Sequence, residues 1–201
     1  TVNHCAAPPP APEPGPLLRA RLANAGAPCD IFEADGTPCV AAHSTTRALF
    51  ASYTGPLYSV TRSSDNVSRS IPLLAPGGYA NASVQDAFCA GAECVISRLF
   101  DQSSHGNDLV VFKYDTRRDR AANASADRHS VGGHAVYSLY IEPGMGYRTP
   151  PGSANGVAVA AQPESIYMVT AGNHFNDRCC FDCERAPTRL CFVYVLDILA
   201  L

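Results

Sequence analysis

The residues best placed to do chemistry lie between Asn173 and Asp182, in the run Asn-His-Phe-Asn-Asp-Arg-Cys-Cys-Phe-Asp. Its centre is the adjacent pair Cys179 and Cys180. An ordinary disulfide wants its Cα atoms roughly 4.4 to 6.8 Å apart, whereas neighbouring residues sit about 3.8 Å apart across a trans peptide. Two readings follow from spacing alone. Either each thiol bonds to a different partner, or the two close a strained vicinal ring whose flat sulfur face is offered to an apolar ligand surface. Strain of that kind persists where function requires it. Asp177, Asp182 and Glu184 flank the pair, and Glu142 follows a predicted strand. Carboxyl groups so placed are candidates for proton transfer or nucleophilic attack, but acids in loops commonly cap turns or face water, and no pair is assigned. His43 beside Ser44 lacks the third group and the setting of a nucleophile and base pair. His43, His134 and His174 read as structural or surface residues.

The remaining thiols suggest cross-links rather than metal. Cys29 and Cys39 bracket Asp30 to Pro38, which contains the turn signal Asp35-Gly36 and fits a closed loop. In Cys89-Ala-Gly-Ala-Glu-Cys94 the glycine frees the turn to close a small ring. Zinc is the rival reading there, but His105 has no partner at zinc spacing, and neither a metal nor a cofactor is expected. Cys183 and Cys191 are a possible further pair, which would leave Cys5 odd. Nine cysteines and three Asn-x-Ser sequons, at Asn66, Asn81 and Asn123, point together to the secretory pathway and an extracellular location. The net charge of -3, with Lys113 the single lysine, offers no basic field for nucleic acid and no polybasic membrane patch. No apolar run is long enough for a membrane span.

Stepping outward from these residues, 201 residues suffice for one domain with a tail. Six prolines between Pro8 and Pro16 make the opening an extended spacer. Residues 1–27 read as a linker, 28–182 as the domain, and 183–201 as a divergent tail that includes a candidate terminal strand. Ser44 and Thr45 ahead of Arg47-Ala48-Leu49-Phe50 predict a short helix ending near Tyr53. A second helix is expected near Ser83, where Ser83-Val84-Gln85-Asp86 has the form of a capping box. Alternation and composition predict strands at Leu57 to Thr61, Val95 to Phe100, Leu109 to Tyr114, Ala135 to Ile141 and Ile166 to Thr170. The cluster Arg117-Arg118-Asp119-Arg120 interleaves both signs of charge and reads as a solvated loop. Short strands with Gly, Pro and Asn between them predict an all-β antiparallel sandwich with short helices.

Longer stretches carry a family resemblance. Cys29-Asp-Ile-Phe32, Gly36-Thr-Pro-Cys-Val-Ala-Ala-His-Ser-Thr-Thr-Arg-Ala-Leu49 and Tyr53-Thr-Gly-Pro-Leu-Tyr58 resemble the opening of the catalytic domain of α-L-arabinofuranosidase B, glycoside hydrolase family 54. The likeness continues through Gln85 to Gly91, Asp101-Gln102-Ser103, Pro143 to Arg148 and the run around Cys179. It weakens in the loops, above all from Thr116 to Gly133. The resemblance implies a concanavalin- or laminin-G-like sandwich that removes terminal arabinofuranosyl groups from arabinan and arabinoxylan with retention of configuration. It also implies disulfides joining Cys29 to Cys39, Cys89 to Cys94 and Cys179 to Cys180, the last packing against the bound arabinose. With it, the vicinal reading takes precedence.

Retaining hydrolysis uses two carboxyl groups about 5 to 5.5 Å apart. In the family that pair lies downstream of the Cys-Cys element, and so does a substrate-facing tryptophan. This sequence departs from the family pattern after Asp182 and contains no tryptophan. None of its acids falls on a family catalytic position, so no catalytic residue is assigned. The expected function is an arabinofuranosidase-type hydrolase truncated before its reactive acids, inactive alone and acting in its full form on arabinofuranose-containing polysaccharide. A sandwich lacking later strands would be incomplete at its C-terminal side. The alternative is a non-catalytic secreted sandwich that binds carbohydrate or has a structural role.

Overall fold

The computed structural model of the chain describes residues 26–111, 113–114, 117–118, 120–170, 183–184, 190–191 and 197–200. Helix α1 (Pro28–Ala34) is followed by β1 (Ala41–Ser44), β2 (Tyr58–Arg62) and β3 (Ser68–Ile71). Helix α2 (Ala82–Phe88) leads into β4 (Cys94–Leu99), β5 (Leu109–Val111), β6 (Lys113–Tyr114) and β7 (Arg117–Arg118). Next come β8 (Arg128–Val131), β9 (His134–Tyr137), β10 (Tyr147–Arg148) and β11 (Ile166–Val169). The last described strands are β12 (Cys183–Glu184), β13 (Leu190–Cys191) and β14 (Asp197–Ala200).

All of the strand pairs are antiparallel. The main sheet has five strands in the order β10-β5-β4-β2-β3, and a second has the order β1-β14-β11. Three two-stranded ribbons, β6-β7, β8-β9 and β12-β13, complete the described set. The fold is thus all-β with two short helices, as the sequence pattern predicts.

The sequence of β4 shows how the main sheet keeps its apolar face inward. Successive side chains alternate between faces, so Ile96 and Leu99, three apart, would point opposite ways on a regular strand. Both are buried. The register against β2 shifts between Ser59 and Val60, which face Arg98 and Ile96. Ser97 is the extra residue of a bulge, and that insertion returns Leu99 to the core. Ile96 and Leu99 then pack with Leu57, Tyr58, Val60 and Ile71. Tyr147 enters from β10, fully buried, with its hydroxyl donating to the Ile96 carbonyl at 2.6 Å and accepting from the Ala122 amide at 2.8 Å.

Two helix expectations change. No helix forms over 47–53, because the backbone there is tied sideways. Ser44 Oγ accepts from the Thr46 and Arg47 amides at 3.0 Å each. Ala48 N–H donates to Gly78 O, and Ala80 N–H to Thr46 O. The amides that would have closed helical turns, those of Ala48, Leu49 and Ala51, are spent on Gly78 O, Gln102 Oε1 and Asp30 Oδ2. The loop closed by Cys29 and Cys39 forms as expected, and residues 28–34 form a helix that the sequence reading did not include. Pro28 stands in its first turn, where a missing N–H is harmless. Asp30 Oδ2 accepts from the Ala27 amide at 2.7 Å and the Ala51 amide at 2.9 Å. The second helix occurs where expected, but its N-cap is Asn81 and the capping box at Ser83 is not made. Ser83 instead donates its hydroxyl to Asn81 Oδ1 at 2.6 Å.

Candidate functional site

The motif residues Asp101, Gln102 and Asn107 are buried, and together they stitch the turn at 101–107 to β1. Asp101 Oδ1 accepts from the Ala42 amide at 2.8 Å and the Ser103 amide at 2.9 Å. Its Oδ2 accepts from the Asn107 amide at 2.8 Å and the Ser103 hydroxyl at 2.7 Å. Gln102 Oε1 accepts from the Leu49 amide at 2.6 Å, and its Nε2 donates to the Arg47 carbonyl at 3.2 Å. Asn107 Nδ2 donates to the carbonyls of Val40 and Asn155, both at 2.8 Å. A carboxylate and two amides with this many partners hold backbone in place. They are framework.

His43 belongs to the same framework. Its Nε2–H donates to the Asn107 carbonyl at 2.9 Å, and only 4% of the residue is exposed. Burial lowers its pKa, against the opposing pull of Asp101, the Asn107 carbonyl and Asp108, so the ring is held neutral. Ser44 Oγ faces the amides of its own turn, and the structural reading of the His43-Ser44 pair stands. His134 is exposed and stacks on Tyr79 with ring centres 4.4 Å apart. Glu142 is exposed and lies 4.0 Å from Arg120.

Disulfides join Cys29 to Cys39 and Cys89 to Cys94, with Cα separations of 5.7 and 5.9 Å. The first is buried in a small apolar cluster with Ala42 and Leu49, against which Phe32 and Phe50 pack. The second closes the turn between α2 and β4. Among the described residues no group of His, Cys, Asp or Glu is arranged to hold a metal ion. No described helix is long and apolar enough to cross a membrane.

Beside the Cys29–Cys39 bridge a cavity of about 450 Å³ opens between α1, the turn at 50–55 and the turn at 102–105. Two of its walls are aromatic, Phe50 and Tyr53. The Tyr53 hydroxyl donates to the Pro56 carbonyl at 2.7 Å. A Cβ on Gly55 would come within 2.5 Å of that oxygen, so the ring lies hard against glycine backbone and is fixed in orientation. Its pKa is pushed up to about 12, first by burial and then by Asp108 and Asp101, which keeps the phenol protonated. Sequence reading missed this cavity. Its residues come from three separate stretches, so no local pattern in the sequence marks it.

Residues 28–190 match the family described as Alpha-L-arabinofuranosidase B, catalytic. The chain belongs to this family. A probable α-L-arabinofuranosidase B of Aspergillus terreus is 46% identical over 171 residues, covering 82% of this chain and 33% of the relative. The α-L-arabinofuranosidase B of Emericella nidulans is 45% identical over 183 residues, covering 86% of this chain and 34% of the relative. Among solved structures, a GH54 α-L-arabinofuranosidase soaked with a cyclic sulfate inhibitor superposes with a TM-score of 0.75 at 44% identity, covering 81% of this chain and 35% of that one. An arabinofuranosidase complexed with arabinofuranosyl-α-1,2-xylobiose gives a TM-score of 0.74 at 44% identity, covering 78% and 33%. The chain therefore spans about a third of the length of the relatives it matches.

Within this arabinofuranosidase B framework, Cys179 and Cys180 lie outside the described residues, as do Asp177, Asp182, His174 and Cys5. Glu184 is described only as part of β12. The sequons fall on three different local structures. Asn66 is exposed just beyond β2 with a φ of 57°. Asn123 is exposed, and its Oδ1 accepts from the Ser125 amide at 2.8 Å. Asn81 is half-buried at the start of α2.

Proposed function

We propose that this chain is the N-terminal part of the catalytic domain of a secreted α-L-arabinofuranosidase acting on arabinofuranose-bearing polysaccharide. In this reading Cys179 and Cys180 form the ring against which the sugar lies, residues 1–27 are a linker, and Asn66, Asn81 and Asn123 are open to glycosylation. The observation that carries it is the family match over residues 28–190. The arabinofuranosyl-xylobiose held by a relative at 44% identity supports the choice of substrate class.

In this reading, the 201 residues taken alone, without the family's downstream acids, would turn over no arabinofuranoside. Two carboxyl groups must flank the scissile bond in a retaining hydrolase, and residue by residue none of its acids corresponds to the family's catalytic pair. Asp101, buried beside the candidate cavity's turn, is committed to four hydrogen bonds within its own framework. An assay of the purified chain with p-nitrophenyl α-L-arabinofuranoside should give no release above the uncatalysed rate. Turnover that survives repurification would overturn the reading. Mapping of unreduced peptides should recover Cys179 and Cys180 within one cross-linked dipeptide, and finding those thiols free or bonded elsewhere would remove the sugar-facing ring.

A further inference from the structure

We propose that the cavity beside the Cys29–Cys39 bridge, lined by described residues from three segments of the chain, is a saccharide-binding site for a neutral glycan chain. Its volume of about 450 Å³ lies within the roughly 300 to 1,000 Å³ of small-molecule sites. What distinguishes it is how its polar groups are spent. Gln102, on the floor, has both ends of its amide committed to backbone. By contrast, the side chains of Ser52, Thr54, Ser104, Glu33 and His105, residues that also line the cavity, make no hydrogen bond to another described residue. Donors and acceptors of both kinds thus converge on one space beside two aromatic rings.

That combination selects a ligand class. A sugar ring has a C–H face that lies on an aromatic ring and a rim of hydroxyls that both donate and accept, which is the complement of Phe50 and Tyr53 with the free groups around them. An anion such as phosphate is disfavoured, because the one formal charge in the lining is the Glu33 carboxylate and no Lys or Arg is present. A lipid is disfavoured by the same polar rim. Preorganisation favours binding further. Tyr53 is pinned by Pro56 and Gly55, and Phe50 packs on the buried disulfide cluster, so little side-chain freedom is lost when a ligand seats. That the natural ligand bears arabinose rests on the reading above; that the cavity takes a neutral saccharide does not.

The test is calorimetric titration of the full chain with an arabinoxylo-oligosaccharide, alongside amide NMR shifts. Saturable binding is expected, with shifts centred on Thr54, Gly55, Ser104 and His105. Thr54 and Ser104 are exposed, so Thr54→Arg and Ser104→Arg fill the cavity without entering the core. Each should weaken binding about tenfold or more while melting as the wild type does. Glu33→Gln should weaken it less, keeping one acceptor. A Cys179→Ser/Cys180→Ser double variant should retain the same shifts at 54–55 and 104–105, whatever becomes of the sugar-facing ring. Absence of saturable binding by the wild type would overturn the proposal, and so would affinities unchanged in folded Thr54→Arg and Ser104→Arg. Loss of those shifts in the double variant alone would assign the binding to the cysteine ring and overturn it as well. The hydrolysis assay is read separately, so the activity reading and the cavity stand or fall independently.

Discussion

Asp101 illustrates how an acid in a family motif can serve the framework rather than the chemistry. Its carboxylate, 8% exposed, accepts four hydrogen bonds from Ala42, Ser103 and Asn107. Asp101→Asn keeps the shape but turns an acceptor into an NH₂ group facing N–H donors. Loss of charge-assisted bonds in a buried web should cost about 2 to 4 kcal/mol, seen as a melting temperature roughly 5 to 10 °C lower. An unchanged melt would mean the web tolerates the lost acceptor. His43, in contact with the same web, makes stability depend on pH. Burial holds its folded pKa below the ordinary value, so the unfolded chain binds the proton more readily. The stability from neutral His43 is therefore complete above about pH 6.5 and is lost as pH falls from there through the depressed folded value. His43→Gln should flatten the stability profile across that window. A slope identical to wild type in chemical denaturation at several pH values would remove His43 as its source. None of this was readable from residue types. The stretch Asp101-Gln102-Ser103 was visible as a family motif, but its partners are far away in sequence.

At the scale of elements, what was legible depended on whether the deciding contact was local. Strands β2, β4 and β5 occur where alternation and composition placed them, because a buried face writes itself into the sequence; β11 also occurs where expected, on its β-branched and aromatic composition rather than on a buried face. The helix expected over 47–53 does not form, since the amides of Ala48, Leu49 and Ala51 donate to Gly78 O, Gln102 Oε1 and Asp30 Oδ2. The helix at 28–34 went unseen because its start is held by Asp30 and by the distant Leu49 carbonyl, which accepts from the Cys29 amide. Strands β12 and β13 add something sequence left open. Their register sets Cys183 directly opposite Cys191 in an antiparallel pair. Facing residues in such a pair have Cα atoms about 4.5 to 5.5 Å apart, inside the span a disulfide bridges. Non-reducing peptide mapping should find Cys183 joined to Cys191, leaving Cys5 without an intramolecular partner. Recovery of either thiol unmodified from oxidised protein would argue against this ribbon pairing.

For the whole molecule, the informative feature is a strand with little cover among the described residues, where Tyr167 meets Phe32 with ring centres 6.4 Å apart. Neighbouring residues of a strand point to opposite faces, yet Ile166, Tyr167 and Met168 of β11 are exposed by 42%, 46% and 37%. Among the described residues this strand is also an edge, bonded to β14 on one side. A sandwich strand normally buries at least one face, and an apolar edge with open N–H and C=O groups is a template for pairing with another chain. Charged residues, which blunt such edges, are absent from Ile-Tyr-Met-Val. The chain should therefore self-associate as its concentration rises, through β11. Sedimentation equilibrium of the wild type should show mass increasing towards about 100 µM, the range in which exposed edges associate. Tyr167→Lys or Met168→Lys places a charge on the uncovered strand and should return the population to monomer. Because these side chains contribute little to the core, the melting temperature should stay within about 1 to 2 °C of wild type. A wild type that remains monomeric throughout would show that the bare strand is tolerated, and lysine variants that associate as strongly would move the contact elsewhere. The two outcomes differ in meaning, because only the second leaves an adhesive surface to find, and β3, the outer strand of the main sheet with three exposed residues, would be next to carry the same substitution.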